Sequence, residues 1–331
     1  MILIFLILVV PLYYLLRFIW ELPTVGNLHS KAVFITGCDS GFGKALALKC
    51  AKKGMTVFAA CFSQKGENEL TKDYRGSNLK TLSLDVRDDQ SVEAARTFVG
   101  NNLPENIKLW GVVNNAGVFS CYGPDDWLKI TDYQSSFDVN TLGVIRVTQA
   151  FKKLIKLSKG RIITVTSVNG RISSPAAGPY VVAKYGAEAY MDALRQELYN
   201  WEVKCSILEP GIFRTPLLDE EAMTSRVNNV WQSIDNETKE EYGEKFKNYF
   251  IKKWNETYIS MSSSNIDFVV NNYYHALVAK YPRHRYYCGW DAILIFIPLS
   301  LLPSWLTDSA IRIIAKQEIQ PACQEKKTKT N

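Results

Sequence analysis

Histidine is scarce in this chain. Its 331 residues include three, His29, His275 and His284, and none stands at ligand-like spacing from another. That argues against a bound metal and against nucleophilic catalysis by a Ser-His-Asp triad. The seven cysteines, at 38, 50, 61, 121, 205, 288 and 323, contain no Cys-x-x-Cys pair, and an odd count without framework spacing excludes obligatory disulfides. Most fall in apolar stretches and read as buried structural thiols. There is no internal repeat and no low-complexity linker. The formal charge of +6 is modest, and no Lys/Arg cluster is interleaved with aromatics, so nucleic acid is not an expected partner. Lys326-Lys327-Thr328-Lys329 is a short solvated tail, or a weak contact with anionic lipid.

Apolar sequence is plentiful, at 47% of the chain. Residues 1–20 are nearly all Leu, Ile, Val, Phe and Tyr, broken by Pro11 and Arg17. About 20 such residues cross a bilayer core as a helix. No basic leader or small-residue cleavage site is evident, so an uncleaved anchor is expected over 1–20. Tyr13, Tyr14, Phe18 and Trp20 suit an interfacial belt. Arg17 and Lys31 follow the span with no positive side chain before it, which favours a cytosolic catalytic domain, expected on the endoplasmic reticulum. The sequons Asn236-Glu237-Thr238 and Asn255-Glu256-Thr257 would matter only to a lumenal domain. A second apolar run, 293–302, is too short to span, and Pro298 and Pro303 disfavour a continuous helix. Residues 291–331 are therefore expected to be a segment lying in the membrane interface beside the substrate mouth, followed by the basic tail.

Between these parts, residues 30–290 alternate β-prone apolar runs with helical stretches. Strands are expected near 32–36, 56–61, 79–84, 109–114, 160–167, 203–208 and 284–287, which is the pattern of a parallel sheet with helices on both faces.

The chemistry concentrates in two motifs. Tyr180-Val181-Val182-Ala183-Lys184 puts a phenol and an ammonium on one helix face. A nearby cation favours the phenolate, so Lys184 is expected to lower the pKa of Tyr180 and make it a general acid/base. Upstream, the β-prone run 31–36 feeds Gly37-Cys38-Asp39-Ser40-Gly41-Phe42-Gly43 and then a helical pattern over 44–53. Strand, glycine turn and helix N-terminus make a cradle for a pyrophosphate.

Together these residues resemble the short-chain dehydrogenase/reductase family over about 31–289. The resemblance implies an α/β, Rossmann-type doubly wound parallel sheet of about seven strands, here carrying an N-terminal membrane anchor helix, with a substrate lobe expected over 215–285. It implies cofactor contacts from Gly37, Asp39, Ser40, Gly41, Phe42 and Gly43, from Cys61 ending the second strand, and from Asp85 and Val86 beside the adenine. Asn114, Ala116 and Gly117 match the motif ending the fourth strand, and Pro210, Gly211 and Thr215 the segment facing the nicotinamide. Tyr180 and Lys184 also touch the cofactor. The tetrad is completed by Ser167, which would hold the substrate oxygen, and Asn140, which would fix a water linking Lys184 to solvent. A homodimer is left open.

The loop, together with Tyr286-Tyr287-Cys288-Gly289-Trp290-Asp291-Ala292 and the prolines that follow, looks like the membrane-bound retinol and 17β/3α-hydroxysteroid dehydrogenases. That implies a lipophilic alcohol as substrate. The alternatives are a 3-hydroxybutyrate-type dehydrogenase, with Arg214 as carboxylate partner, and a non-catalytic cofactor- or lipid-binding protein. Around Cys61 the chain carries neither the acid usual for NAD nor the base usual for NADP. Asp39 would repel a 2′-phosphate and Lys65 is the nearest cation, which favours NAD(H) over NADP(H). The lobe aromatics Trp231, Tyr242, Phe246, Tyr249, Phe250, Trp254 and Tyr258 read first as helix packing and second as pocket wall.

Overall fold

Seven apolar runs become the strands of one parallel sheet. The structure, a computed structural model, describes residues 2–314 and 319–324, without the side chains of 2–8, 10 and 259. The strands are β1 Lys31–Thr36, β2 Thr56–Cys61, β3 Leu79–Ser83, β4 Lys108–Asn114, β5 Arg161–Val165, β6 Lys204–Pro210 and β7 Arg285–Cys288. Their order is β3-β2-β1-β4-β5-β6-β7, with every neighbouring pair parallel. The order reverses between β1 and β4, which opens a crevice at the carboxyl ends of the strands. Strands β1, β2 and β5 are almost wholly buried, which explains why they read as continuous rather than alternating apolar runs.

The helices are α1 Ile2–Glu21, α2 Gly41–Lys52, α3 Gln64–Asp73, α4 Asp89–Asn102, α5 Ile130–Phe137, α6 Gly143–Ser158, α7 Gly178–Glu197, α8 Glu220–Ser233, α9 Asn236–Tyr242, α10 Glu244–Met261, α11 Asp267–Val278, α12 Ile297–Ser300 and α13 Ser304–Ile314. Leu46 of α2, Leu70 of α3 and Tyr273 and Leu277 of α11 pack with Val33 and Val57 on one face of the sheet. Val99 of α4, Phe151 of α6 and Met191 of α7 pack with Phe34 and Phe58 on the other. Helices α8–α10 form the lobe, around Trp127, Trp231, Phe246 and Phe250. Six of the seven thiols are buried, as expected.

Helix α1 occupies the span expected to be an anchor. Among the described residues no helix is long and apolar enough to cross a membrane, and the side chains at 2–8 and 10 of this span lie outside those described. The rest of α1 stands away from the domain, with Leu16, Phe18 and Trp20 more than half exposed. Its last turn is docked. Glu21 accepts from Arg283 Nε at 2.6 Å and Arg17 Nε at 2.9 Å, and Trp20 stacks on Tyr281 at 4.4 Å.

One expectation is corrected at the carboxyl end. Residues 292–300 do form a continuous helix despite Pro298, because a π-turn, Ala292–Phe296, leads directly into α12. Ile297 N donates to Ala292 O, five residues back, and this wider turn accommodates a proline that has no N–H to give. The helix stops before Pro303, and α13 follows. The basic tail at 326–329 lies outside the described residues.

Candidate active site

Ser167 follows the end of β5, and α7 carries Tyr180 and Lys184 one turn apart and both buried. Asn140 sits in a π-turn, Asp138–Leu142, between α5 and α6. Such turns re-aim side chains that a regular helix would point elsewhere. The fold thus brings Asn140, Ser167, Tyr180 and Lys184 to one cavity of about 170 Å³, which Gly117, Pro210, Gly211 and Thr215 also line.

Asn140 is fixed by the chain opposite it. Its Oδ1 accepts from Val118 N at 3.0 Å, and its Nδ2 donates to Val118 O at 2.9 Å and Ser136 O at 3.0 Å. Lys184 Nζ donates to Val165 O at 3.3 Å and lies 5.4 Å from the centre of the Tyr180 ring. Below the site, Thr166 Oγ1 donates to Glu188 Oε1 at 2.5 Å, and Arg285 bridges Glu188 and Glu209. This charged knot fixes the ends of β5, β6 and β7 relative to α7.

The electrostatics depart from the expectation drawn from spacing. Burial pushes the Tyr180 phenol up to about 12, and the lowering influence is its hydrogen bond with Ser167. Burial also lowers Lys184 to about 8, opposed by the nearby Glu188 carboxylate. Desolvation is therefore the leading influence on both groups, and Lys184 is not among the influences that shift Tyr180.

A larger cavity of about 510 Å³ adjoins the first along the strand ends. Of the expected cofactor residues, Gly37, Asp39, Ser40, Gly41, Phe42, Asp85, Val86, Ala116, Gly117 and Thr215 line it. Tyr180, Lys184, Pro210 and Gly211 line the catalytic cavity instead, and Gly43, Cys61 and Asn114 line neither. A methyl on Gly43 would lie 2.3 Å from Gly37 O, so that glycine serves close helix–strand packing. Cys61 is buried, and its neighbour Phe62 forms the wall. Asn114 Nδ2 donates to Thr148 Oγ1 at 2.9 Å and Thr164 Oγ1 at 3.2 Å, tying α6 to β5. Its neighbour Asn115 faces the loop instead, donating from Nδ2 to Thr36 O and Gly37 O at 3.0 Å each.

These residues fit a dinucleotide. Gly37 and Gly41 adopt φ of 69° and 58°, and a Cβ on Gly37 would strike Ala116 Cα at 2.7 Å. Ser40 makes no side-chain cap to α2, so the first-turn N–H groups are left to the cavity and an anion. At the other end, Asp39 accepts from Phe62 N, Ser63 N and Ser63 Oγ at 2.8, 2.8 and 2.7 Å. Lys65 is exposed, 3.9 Å from Glu69. Arg87, which the sequence reading passed over, reaches this end paired with Asp85 at 2.7 Å, its guanidinium carbon 5.6 Å from the centre of the Phe62 ring.

The lobe aromatics divide between the two roles. Trp231 and Phe246 pack around Trp127, whereas Trp254 lines the catalytic cavity. Two further aromatics in that wall, Phe119 and Tyr122, were not anticipated. Phe119 lies 4.7 Å from Tyr180, and Tyr122 lies 4.6 Å from Trp254, centroid to centroid. They stand in the irregular segment after β4, where no periodicity marks them. Arg214 is on the surface, donating to Ser262 Oγ at 3.1 Å. Among the described residues, no group of three or more His, Cys, Asp or Glu side chains could hold a metal ion.

Comparison with known proteins agrees with this geometry. The family model of the short chain dehydrogenases matches residues 31–225. The chain is 46% identical over 313 residues to the 3beta-hydroxysteroid dehydrogenase dhs-16 of Caenorhabditis elegans, covering 92% of this chain and 81% of that one. It is 40% identical over 307 residues to retinol dehydrogenase 7 of Rattus norvegicus, covering 93% and 96%. A short chain dehydrogenase/reductase from Burkholderia phymatum, solved in complex with NAD, shares the fold with a TM-score of 0.68 at 24% identity, covering 83% of this chain and 94% of that one.

Proposed function

The chain belongs to the short chain dehydrogenase family and is a nicotinamide-dependent oxidoreductase of alcohol and carbonyl groups; we propose that its substrate is a lipophilic alcohol, a hydroxysteroid or retinol, and its cofactor NAD(H). The composition of the catalytic cavity carries the substrate reading. Its wall is built from Phe119, Tyr122, Phe213, Leu217, Leu218 and Trp254, and Lys184 is the one cation among its described lining residues. A small hydroxy acid would need a cationic partner for its carboxylate, and Arg214 is on the surface. A second cavity of about 190 Å³ shares Tyr122, Ser174, Ile212, Trp254 and Phe296 with the first, and Leu299, Ile311 and Ile314 also line it. This apolar passage suits a molecule dissolved in lipid.

In the oxidative direction Tyr180 takes the hydroxyl proton, and in the reductive direction it returns it. Ser167 holds the substrate oxygen and, through its bond to Tyr180, favours the phenolate. Lys184, an ammonium below about pH 8, presents positive charge beside the phenol and a donor to the nicotinamide ribose. Asn140, held by Val118, keeps the proton path from Lys184 in place. A nicotinamide held here would supply the hydride chemistry. The loop 37–42 and residues 215–217 would hold its dinucleotide. Asp39 lies against Phe62 and Ser63, where it disfavours a 2′-phosphate, and Asp85 neutralises Arg87.

We place the enzyme on a membrane, with α1 as its anchor and residues 292–314 lying on the lipid surface. Leu294, Leu301, Trp305 and Ile313 support that placement, each at least 67% exposed. The test is NADH formation by liposome-embedded protein against retinols, hydroxysteroids and 3-hydroxybutyrate. Turnover of a retinol or steroid is expected. Turnover of 3-hydroxybutyrate alone would overturn the substrate reading, and tighter binding of NADPH than NADH would overturn the cofactor reading.

A further inference from the structure

The long cavity along the strand ends has two sides. One is the sheet with the glycine loop. The other is the chain after β6, residues 215–217, backed by α8 of the lobe. A Cβ on Gly41 would lie 3.8 Å from Thr215 Cγ2, so this segment crosses directly over the loop. From α8, Arg226 reaches the same cavity.

The two guanidinium groups in the cavity wall are not equivalent. Arg87 is neutralised by Asp85. Arg226 is half-buried; Asp219 acts on its charge through space, but among the described residues no carboxylate lies within ion-pair distance of it. Its Nη1 donates to Leu217 O at 2.7 Å and contacts Met223 Sδ at 3.1 Å, and its guanidinium carbon lies 6.0 Å from the centre of the Phe119 ring. These contacts fix the plane of the group while engaging one of its three nitrogens. A guanidinium has five N–H donors in a rigid fork, and the fork matches phosphate oxygens. A partly desolvated cation with only a distant carboxylate and no direct ion pair is stabilised when an anion docks on its fork.

We propose, on the basis of the reading above, that Arg226 is the lobe's cation for the pyrophosphate of the dinucleotide. It would approach the phosphates from the side opposite the N–H groups of α2, so the anion is held between the sheet domain and the lobe. Because Arg226 also holds Leu217 O and lies over Phe119, which touches Tyr180, a bound pyrophosphate steadies the wall of the catalytic cavity. The glycine loop alone supplies the anion site of the sheet domain; Arg226 couples the lobe to it.

The experiment uses the full chain in detergent, with Arg226→Gln and Arg226→Lys. Gln keeps a donor for Leu217 O and removes the charge, whereas Lys keeps the charge without the fork. ADP-ribose, which carries the pyrophosphate, and adenosine, which lacks it, are titrated by calorimetry at two salt concentrations. Arg226→Gln is expected to bind ADP-ribose about tenfold or more weakly, with a flatter salt dependence, and to bind adenosine as the wild type does. Arg226→Lys is expected to fall between the two. Unchanged ADP-ribose binding in both variants, or an equal loss for adenosine, would overturn the proposal and leave Arg226 a brace for residue 217. Wild-type protein that binds neither NADH nor ADP-ribose would overturn the proposed function together with it.

Discussion

Tyr180 and Lys184 are both buried, and burial moves them in opposite directions, the phenol up to about 12 and the ammonium down to about 8. The sign for Lys184 follows from proton counting. Its folded pKa lies below the ordinary 10.5, so the unfolded chain binds more protons between the two values and the contribution to stability rises with pH across about 8 to 10.5. Lys184→Met removes a buried charge, and is expected to abolish turnover yet raise stability at pH 7 by roughly 1–3 kcal/mol. The gain should shrink towards pH 10, and denaturant melts of the two proteins at both pH values measure it. A variant less stable than wild type at pH 7 would show that the contacts of the ammonium outweigh its desolvation. Tyr180→Phe should lower kcat by ~10²–10⁴ with NADH binding retained. Ser167→Ala removes the bond that lowers Tyr180, so the limb over which the oxidation rate rises with pH should move to higher pH. The catalytic pair was legible in the sequence because helical spacing converts directly into a shared face. Phe119, Tyr122 and Arg226 were not, because only the fold brings them to the cavities and no local period singles them out.

At the scale of elements, both π-turns occur where a regular helix would have failed. One aims Asn140 at the backbone of Val118; the other accommodates Pro298. Apolar periodicity locates a helix but says little about a single widened turn, so the first was unmarked and the second was taken for a break. The strands were legible to within a few residues, including short β7, because a buried parallel sheet demands continuous apolar runs. The Asn140 turn has a counterpart in Gly117. A methyl there would lie 2.9 Å from Asn140 Oδ1 and 3.5 Å from Lys184 Nζ. Gly117→Ala should therefore shift Asn140 and lower kcat by roughly tenfold to a hundredfold, with little change in melting temperature, since an ångström of misplacement is costly to catalysis. An active variant with unchanged kcat would mean that the Asn140 amide is free to move without consequence.

In the whole molecule, the edge strand β7 joins the two apolar extremities. Arg283 and Tyr281, just before it, hold the last turn of α1, while the π-turn, α12 and α13 continue from its other end. A strand of four residues spans only ~13 Å. The proposed anchor and the exposed apolar surface at 294–314 thus leave one short, half-buried element; Glu21 pins the first, and beyond the strand's other end Asp291 accepts from Ile212 N at 2.7 Å. The mouth of the apolar passage is therefore held at a set position relative to α1, which suits delivery of a substrate from the bilayer. Leu301→Ser with Trp305→Ser removes two side chains that are 72% and 68% exposed and lie outside both cavities. If the segment lies on lipid as proposed, this change should raise the apparent KM for a retinol or steroid presented in liposomes about tenfold. It should leave kcat, and turnover of a short water-soluble alcohol, as in the wild type. Equal loss with both kinds of alcohol would mean that the segment supports the fold and not the delivery of substrate.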